Sequence, residues 1–375
     1  MNGDKSTKVA HLTSAHPRHD IRIFLKQCRS LAADGYEVSL VVADGGGDEV
    51  RDGVAILDVG KSNGRLGRMI GASRRVLMRA LAVDADIYHL HDPELLPAGI
   101  VLRLRGKRVI FDAHEDLPKQ ILSKPYLKPI VRKPISIAVG VFERFACRCF
   151  SAVIGATPSI RDKFKGMGIP AVDVYNFPLL GELEAEVPWG DKKREVCYVG
   201  GVAAIRGIRQ IVEAVGLARS EVSLNLAGKF SEANVKADVE KTPGWGRVNE
   251  LGFLSRSQVR DVLGRSMAGL VTFLPEPNHV EAQPNKMFEY MSAGLPVVAS
   301  NFPLWREVVD GNDCGTCVDP LAPQEIADAI DHLVENPEMA RRMGENGRRA
   351  VQERYNWNIE KEKLLALYAT LSSKR

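Results

Sequence analysis

Residues Glu281-Ala282-Gln283-Pro284-Asn285-Lys286-Met287-Phe288-Glu289-Tyr290-Met291-Ser292-Ala293-Gly294-Leu295-Pro296-Val297-Val298-Ala299 decide the reading of this chain. They read as a loop, a helix opening near Pro284, a stop at Gly294 and a buried strand. Proline early in a helix and glycine just past its end fit that order. The free amides of the helix start favour an anion. Glu281 lies before the helix and Glu289 about a turn and a half inside it. Carboxylates accept from paired hydroxyls, so a ribose or a sugar suits them. An ordinary amphipathic helix with two solvated glutamates fits the same pattern.

Working outward, strand-like and helix-like segments alternate. Val9–Leu12, Glu37–Ala43, Asp86–Leu90, Arg108–Phe111 and Ala152–Gly155 read as strands, each running into a polar loop or a turn. Ile21–Ala33 reads as a helix with Ile21, Phe24, Leu25, Cys28, Leu31 and Ala32 on one face and Gly35 after its end. Asn176 to Lys193 holds prolines, glycines and charges with weak periodicity and reads as a linker. The pattern then restarts with strands Glu195–Val199, Val222–Leu226, Val248–Leu251, Gly269–Phe273 and Pro296–Ala299, and a helix from Ile208 to Ala218. Short buried strands with helices between them predict parallel sheets covered on both faces. The expected fold is therefore α/β, with two doubly wound units that place ligand groups at the carboxyl ends of their strands. Expected bounds are 1–177 and 194–355, with the last helix, 356–375, packing back on the first unit.

A length of 375 residues fits two domains, since single cores stop growing near ~250–300 residues. With 45% hydrophobic and 26% charged residues, the composition excludes a disordered or collagen-like chain. Six cysteines and no signal-peptide pattern at the start point to a reducing cytoplasm. No run of ~18 uncharged apolar residues predicts a membrane-spanning helix. Charge is uneven: residues 1–170 hold 27 Lys/Arg against 18 Asp/Glu, or +9, and the remainder 24 against 29, or −5. Two units with different surfaces follow from that split.

Two glutamates with seven residues between them, followed by Ala293-Gly294-Leu295-Pro296-Val297-Val298-Ala299, resemble the signature of the retaining glycosyltransferases of family 4, which have the GT-B fold. The resemblance extends over most of the chain. It takes in Tyr198-Val199-Gly200-Gly201, Arg206-Gly207, Leu226-Ala227-Gly228, Leu251-Gly252-Phe253-Leu254, Cys314-Gly315 and Val318-Asp319-Pro320. In the first half it takes in His89-Leu90-His91-Asp92 and Asp112-Ala113-His114-Glu115.

The resemblance implies a nucleotide-diphosphate sugar as co-substrate, with no other cofactor and no metal. Glu289 would hold the nucleotide ribose, with Asn285, Gly201 and Phe253 beside the donor. Glu281 would contact the donor sugar, and Arg206 would place a cation on the diphosphate, where charge grows as the glycosidic bond breaks. Lys286 offers a second positive charge or is a solvated helix residue. Many members carry a second arginine where this chain has Gly201, and Lys229 could replace that charge. Many also have Gly-Phe-Gly where this chain has Ala282-Gln283-Pro284, which bears on the identity of the donor sugar.

In the first half the resemblance implies that His114 faces the donor sugar. A neutral imidazole there can hydrogen-bond a hydroxyl or position the acceptor. The loop Ser14–Asp20 follows the first strand, and with its two histidines, His16 and His19, and Asp20 it is expected to contact the acceptor or the donor phosphate; His19, Asp20 and Asp92 are placed on the acceptor side. Lys119 to Arg148 holds seven Lys/Arg and one acid, Glu143, among Ile121, Leu122, Tyr126, Leu127, Ile130, Val131, Ile135 and Ile137. That mixture suits an anionic membrane surface and a lipid-linked glycan acceptor, or a cleft-lining helix with a solvated basic face. Cys314-Gly315-Thr316-Cys317 has redox spacing but no second pair, and falls in a structural turn in the family.

No G-x-G-x-x-G fingerprint or Walker loop occurs, which argues against a dinucleotide oxidoreductase or P-loop ATPase. No Asp-x-Asp motif closes a strand, which disfavours a metal-dependent transferase. The expected activity is retaining transfer of a hexosyl group to a glycan hydroxyl, on the cytoplasmic side of the cell membrane, in assembly of a bacterial surface polysaccharide or glycoconjugate. No nucleic-acid partner is expected. Two rivals stand beside it: a GT-B nucleotide-sugar 2-epimerase, which needs no acceptor, and a non-catalytic two-domain sugar-nucleotide-binding protein.

Overall fold

The computed structural model describes residues 6–62, 64, 67–122, 127–184 and 187–373. Tyr126 and Lys124 of the basic stretch lie outside them. The chain forms two compact units, Met1–Asn176 with Asn358–Arg375, and Phe177–Trp357. The segment read as a linker thus groups with the second unit from Phe177 onward.

The first unit contains β1 (Lys8–Leu12), β2 (Glu37–Val42), β3 (Glu49–Arg51), β4 (Val54–Asp58), β5 (Ile87–Leu90), β6 (Arg108–Ala113), β7 (Ala152–Gly155) and β8 (Ala171–Asp173) in one sheet, ordered β3-β4-β2-β1-β5-β6-β7-β8. Every pairing is parallel except β3 with β4. β5 and β7 are buried at every position, as strands covered on both faces must be. The order reverses between β1 and β5, so the loops after these strands diverge and leave a crevice at their carboxyl ends.

The helix after β1 departs from the sequence reading. Ile21–Cys28 is wound with the wider π repeat before Arg29–Ala33 continues as α-helix. Asp20 starts it, its carboxylate accepting from the Arg22 and Ile23 amides. The wider winding brings residues five apart toward one side, and it buries Arg22, Lys26 and Gln27 while Leu25 stays partly exposed. π turns of this kind occur mostly at functional positions.

The second unit holds β9 (Glu195–Val199), β10 (Ser223–Ala227), β11 (Val248–Gly252), β12 (Ala268–Val271), β13 (Val297–Ser300) and β14 (Gly315–Val318), ordered β11-β10-β9-β12-β13-β14 and parallel throughout. Its switch of direction falls between β9 and β12. Helix Ile208–Leu217 buries Ile208, Ile211, Val212 and Val215, the spacing of one helix face. Gly315–Val318 is an edge strand paired in parallel with β13, so the Cys314–Cys317 segment runs into the sheet rather than forming a turn, and Cys314 is buried.

Candidate functional site

In the second unit, cations gather where β9 ends. Gly200 (φ 119°) and Gly201 follow the strand, and a turn, Ala204–Arg206, leads through Gly207 (φ 74°) into helix Ile208–Leu217. A Cβ on Gly201 would sit 2.7 Å from Arg206 Nη1. The Arg206 guanidinium therefore lies across Gly201 and donates to its carbonyl at 3.0 Å. A side chain at position 201 would meet the guanidinium, so the glycine is what lets Arg206 fold back there.

Helix Asn285–Ser292 begins after Pro284, which takes the cap position with no side chain capping the first amides. Lys286, in the first turn, is buried. Its Nζ stands 3.5 Å from the centre of the Tyr198 ring and 5.1 Å from that of Phe273. The Arg206 guanidinium lies 5.6 Å from the same Phe273 ring. Two cations thus approach one aromatic ring, and the Lys286 ammonium has no hydrogen-bond partner among the described residues. Burial, reinforced by the nearby Arg206 charge and opposed by Glu289, presses its pKa well below the usual lysine range. A buried donor without an acceptor is costly unless an anion meets it.

Glu289, one turn further on, accepts from Arg256 Nη1 at 2.8 Å. The same guanidinium donates to both oxygens of Glu182, each at 2.8 Å. Arg256 begins the helix Arg256–Arg265, which Ser255 and Gln258 close with reciprocal capping bonds. Sequence reading missed Arg256 and Glu182, because a pairing across more than seventy residues leaves no local signal. Glu281 is exposed and follows the short helix Pro277–Val280, in a loop tied down by Trp305 Nε1 donating to Ala282 O at 2.7 Å. Asn285 is exposed, as are Lys229 and Phe253, whose ammonium and ring centre are 6.0 Å apart.

In the first unit, histidines and carboxylates converge at the ends of β1, β5 and β6. Asp92, after β5, accepts from Thr13 Oγ1 at 2.7 Å and the Ser14 amide at 2.6 Å, pinning the loop after β1. Asp20 meets His16 Nδ1 at 3.4 Å, and Asp92 meets His16 Nε2 at 3.4 Å. Burial works against the His16 cation, but the two carboxylates outweigh it and raise its pKa. Burial likewise opposes the Asp20 anion, yet His16 and the helix amides bring Asp20 to about 2. The His114 ring lies edge-on to His16, with centres 5.3 Å apart. His19 is exposed and pairs with Glu49 on β3 at 2.9 Å. Of the loop's two histidines it is thus His16, rather than His19, that joins Asp20, Asp92 and His114.

Behind His114 stands Asp112, fully buried. Arg22 grips it with two bonds, Nε to Oδ2 at 2.9 Å and Nη2 to Oδ1 at 2.6 Å, and Gln27 Nε2 donates to Oδ2 at 2.8 Å. His114 Nε2 is 3.2 Å from that oxygen and His91 Nδ1 3.4 Å. Burial disfavours the anion, but Arg22, His114 and His91 outweigh it and hold the carboxyl well below its usual range. His11, His89 and His91, and likewise His91, Asp112 and His114, bring ligand atoms within 4.8 Å of one another, so each trio has the makings of a metal set.

Comparison with known proteins meets this geometry from outside. Residues 22–177 match the family model Glycosyltransferase Family 4, and residues 181–350 match Glycosyl transferases group 1. The chain is 26% identical over 247 residues to an alpha-D-kanosaminyltransferase of Streptomyces kanamyceticus, covering 60% of this chain and 62% of that protein. It is 22% identical over 315 residues to a phosphatidyl-myo-inositol mannosyltransferase of Mycobacterium leprae, covering 77% and 75%. Among solved structures, sucrose-phosphate synthase of Thermosynechococcus elongatus superposes with a TM-score of 0.78 at 18% identity, over 98% of this chain and 100% of that one. Anabaena HepE in complex with UDP-glucose superposes at 0.74 and 16% identity, over 97% and 99%. Two family models that divide nearly the whole chain between them, on two parallel-sheet units of the GT-B kind, make this protein a member of the family 4 type of glycosyltransferases.

Proposed function

We propose that the protein is a retaining hexosyltransferase that moves a sugar from a nucleotide diphosphate to a hydroxyl of a lipid-linked glycan, in assembly of a bacterial surface polysaccharide or glycoconjugate. The observation that carries this reading is the Lys286 ammonium, buried with no hydrogen-bond partner among the described residues, beside Arg206 and the uncapped start of helix Asn285–Ser292. These groups suit a diphosphate, and they supply positive charge where the leaving group develops negative charge, so the reading requires no bound metal. Glu289, held by Arg256, takes the ribose hydroxyls, and Glu281 takes the donor sugar. A nucleotide-sugar donor accords with HepE, which is known with UDP-glucose, and a lipid acceptor with the mannosyltransferase that acts on phosphatidyl-myo-inositol.

In the first unit, His114 meets the sugar, and His16, Asp20 and Asp92 shape the acceptor side. The acceptor oxygen bonds to the anomeric carbon on the face that the phosphate leaves. The carbon–oxygen bond to phosphate breaks, and the departing phosphate oxygen takes the acceptor proton.

The reading places the enzyme on the inner face of the cell membrane. No helix of the described residues is long and apolar enough to cross a membrane. Helix Pro129–Cys149 instead exposes Ile130, Ile137, Val141, Phe142 and Phe145 beside Lys133, Arg144 and Arg148. At 100° per residue these apolar side chains share one face, with Lys133 and Arg144 along one edge of it and Arg148 within it, which suits an anionic bilayer surface.

A thermal-shift panel of nucleoside diphosphates and their sugars tests the donor. One of them should raise the melting temperature strongly, and a panel with no response removes the reading. With the donor known, proton NMR of the product should show the donor's anomeric configuration. Release of free sugar and nucleotide diphosphate with no need for an acceptor would instead indicate the epimerase.

A further inference from the structure

The buried imidazoles behind His114 exceed what holding a loop requires. Around Asp112 they form a nearly closed circuit. His91 Nδ1 is 3.4 Å from Asp112 Oδ2, and His91 Nε2 is 2.8 Å from His11 Nδ1. His11 Nε2 is 3.3 Å from the Tyr368 hydroxyl, which is 2.9 Å from His89 Nδ1. His89 Nε2 returns to Asp112 Oδ2 at 3.8 Å, the longest step. All of these residues belong to the first unit, Tyr368 coming from helix Trp357–Ser373.

A shared metal does not suit this cluster. The His89 and His91 rings are stacked, with centres 4.5 Å apart and planes 25° from parallel. Imidazole lone pairs lie in the ring plane, so stacked rings do not converge on one ion. For the other trio, Asp112 is already neutralised by Arg22 and takes a further bond from Gln27. A divalent ion there would leave an excess of buried charge with no counter-ion.

We propose that Asp112 is a positioning residue that fixes the tautomer of His114, holding Nε2–H inward so that Nδ1 faces the substrate as a hydrogen-bond acceptor, and that the same carboxylate orders the protons of the imidazole chain behind it. The assignment follows from one fact: an ionised carboxylate can only accept. His114 Nε2, His91 Nδ1 and His89 Nε2 all lack another hydrogen-bond partner among the described residues, and the first two approach Asp112 Oδ2 closely, at 3.2 and 3.4 Å, where a bare nitrogen lone pair would be repelled by the anion. Each of those two nitrogens therefore carries its hydrogen toward the carboxylate. With Nδ1 protonated, His91 Nε2 accepts from His11 Nδ1–H. His11 Nε2 then accepts from the Tyr368 hydroxyl, and the Tyr368 oxygen accepts from His89 Nδ1–H. Four neutral groups supply four hydrogens for four links. The bare His89 Nε2 is left facing Asp112, which accounts for the long fifth step. Burial keeps His91 neutral, with its pKa at about 3, and presses His11 and His89 well below the usual range.

The role assigned to His114 rests on the function proposed above, but the tautomers do not. They can be read in the ligand-free full chain by 15N NMR on protein labelled at histidine. His11, His89 and His91 should show Nδ1–H with bare Nε2, and His114 the reverse. Tyr368→Phe should release His11 and His89 from their single tautomer while His91 and His114 keep theirs. Asp112→Asn, whose amide can donate, should shift the His114 signals toward the other tautomer. Should that variant fail to fold, Tyr368→Phe and the wild-type spectrum still decide. A His114 with Nδ1–H in the wild type overturns the proposal, as does stoichiometric metal in purified protein by mass spectrometry. If the tautomers hold but no nucleotide binds, the function falls and the positioning stands.

Discussion

Lys286 is the side chain whose surroundings most constrain what can bind. In the free protein, burial and Arg206 press its pKa well below the usual lysine range. A diphosphate beside it would favour the charged form, so binding should take up a proton. Between the free and the bound pKa, the dissociation constant should then rise about tenfold per pH unit as pH increases. Isothermal titration with the stabilising nucleoside diphosphate, in buffers of different ionisation enthalpy, measures that uptake. Lys286→Ala should abolish it and weaken binding by about ten- to a hundredfold, the range for a lost bond to a charged group. Unchanged proton uptake in that variant would show that another group titrates. The glutamates with seven residues between them were legible in the sequence, as was Arg206. Arg256, which fixes Glu289, was not, because the partner comes from the far side of a strand crossover.

Among the elements, the turn from β9 into helix Ile208–Leu217 is the least forgiving. Gly207 has φ 74°, and a Cβ there would come 2.0 Å from the Thr272 carbonyl oxygen. Backbone cannot yield as a side chain can, so Gly207→Ala should cost about 2–4 kcal/mol, read from urea unfolding. Gly201→Ala faces only the movable end of Arg206, so it should leave stability nearly unchanged while displacing the guanidinium. Helix Pro129–Cys149 makes the opposite kind of prediction. Ile137→Glu with Phe145→Glu alters exposed side chains, so thermal stability should hold. Sedimentation with vesicles containing anionic lipid should fall severalfold. Retained vesicle binding would remove this helix as the contact.

The central strands of both sheets were readable as short apolar runs, but β3, β4, β8 and β14 were not. They are short or lie toward the sheet edges, where half-exposed residues blur the pattern. The π winding at Ile21–Cys28 was hidden for a different reason. Its apolar spacing passes for an α-helix, and only the burial of Arg22 and Gln27 against Asp112, 90 and 85 residues away, reveals it.

For the whole molecule, the buried histidines set the acid limit. The folded pKa values of His11, His89, His91 and His279 are depressed by burial, while the unfolded chain protonates near ~6.5. The unfolded state therefore binds more protons below that point. Stability is complete above about pH 6.5 and falls as pH drops, by up to about 1.4 kcal/mol per pH unit for each such imidazole. His16, whose pKa is raised, acts in the other direction, and its contribution is lost only as pH rises above ~6.5. The depressed Asp20 and Asp112 begin to lose theirs only below about 3.8. Scanning calorimetry should thus show the melting temperature falling from pH 6.5 to 4.5, and a flat profile would contradict the burial of neutral imidazoles.

Tyr368 belongs to the first unit, yet it is translated only after Phe177–Trp357. A ribosome that has finished the amino-terminal sheet has therefore not yet supplied the hydroxyl that bridges His11 and His89. Until then those rings wait inside a half-built interior, so nascent chains halted before residue 358 should engage chaperones more than released ones.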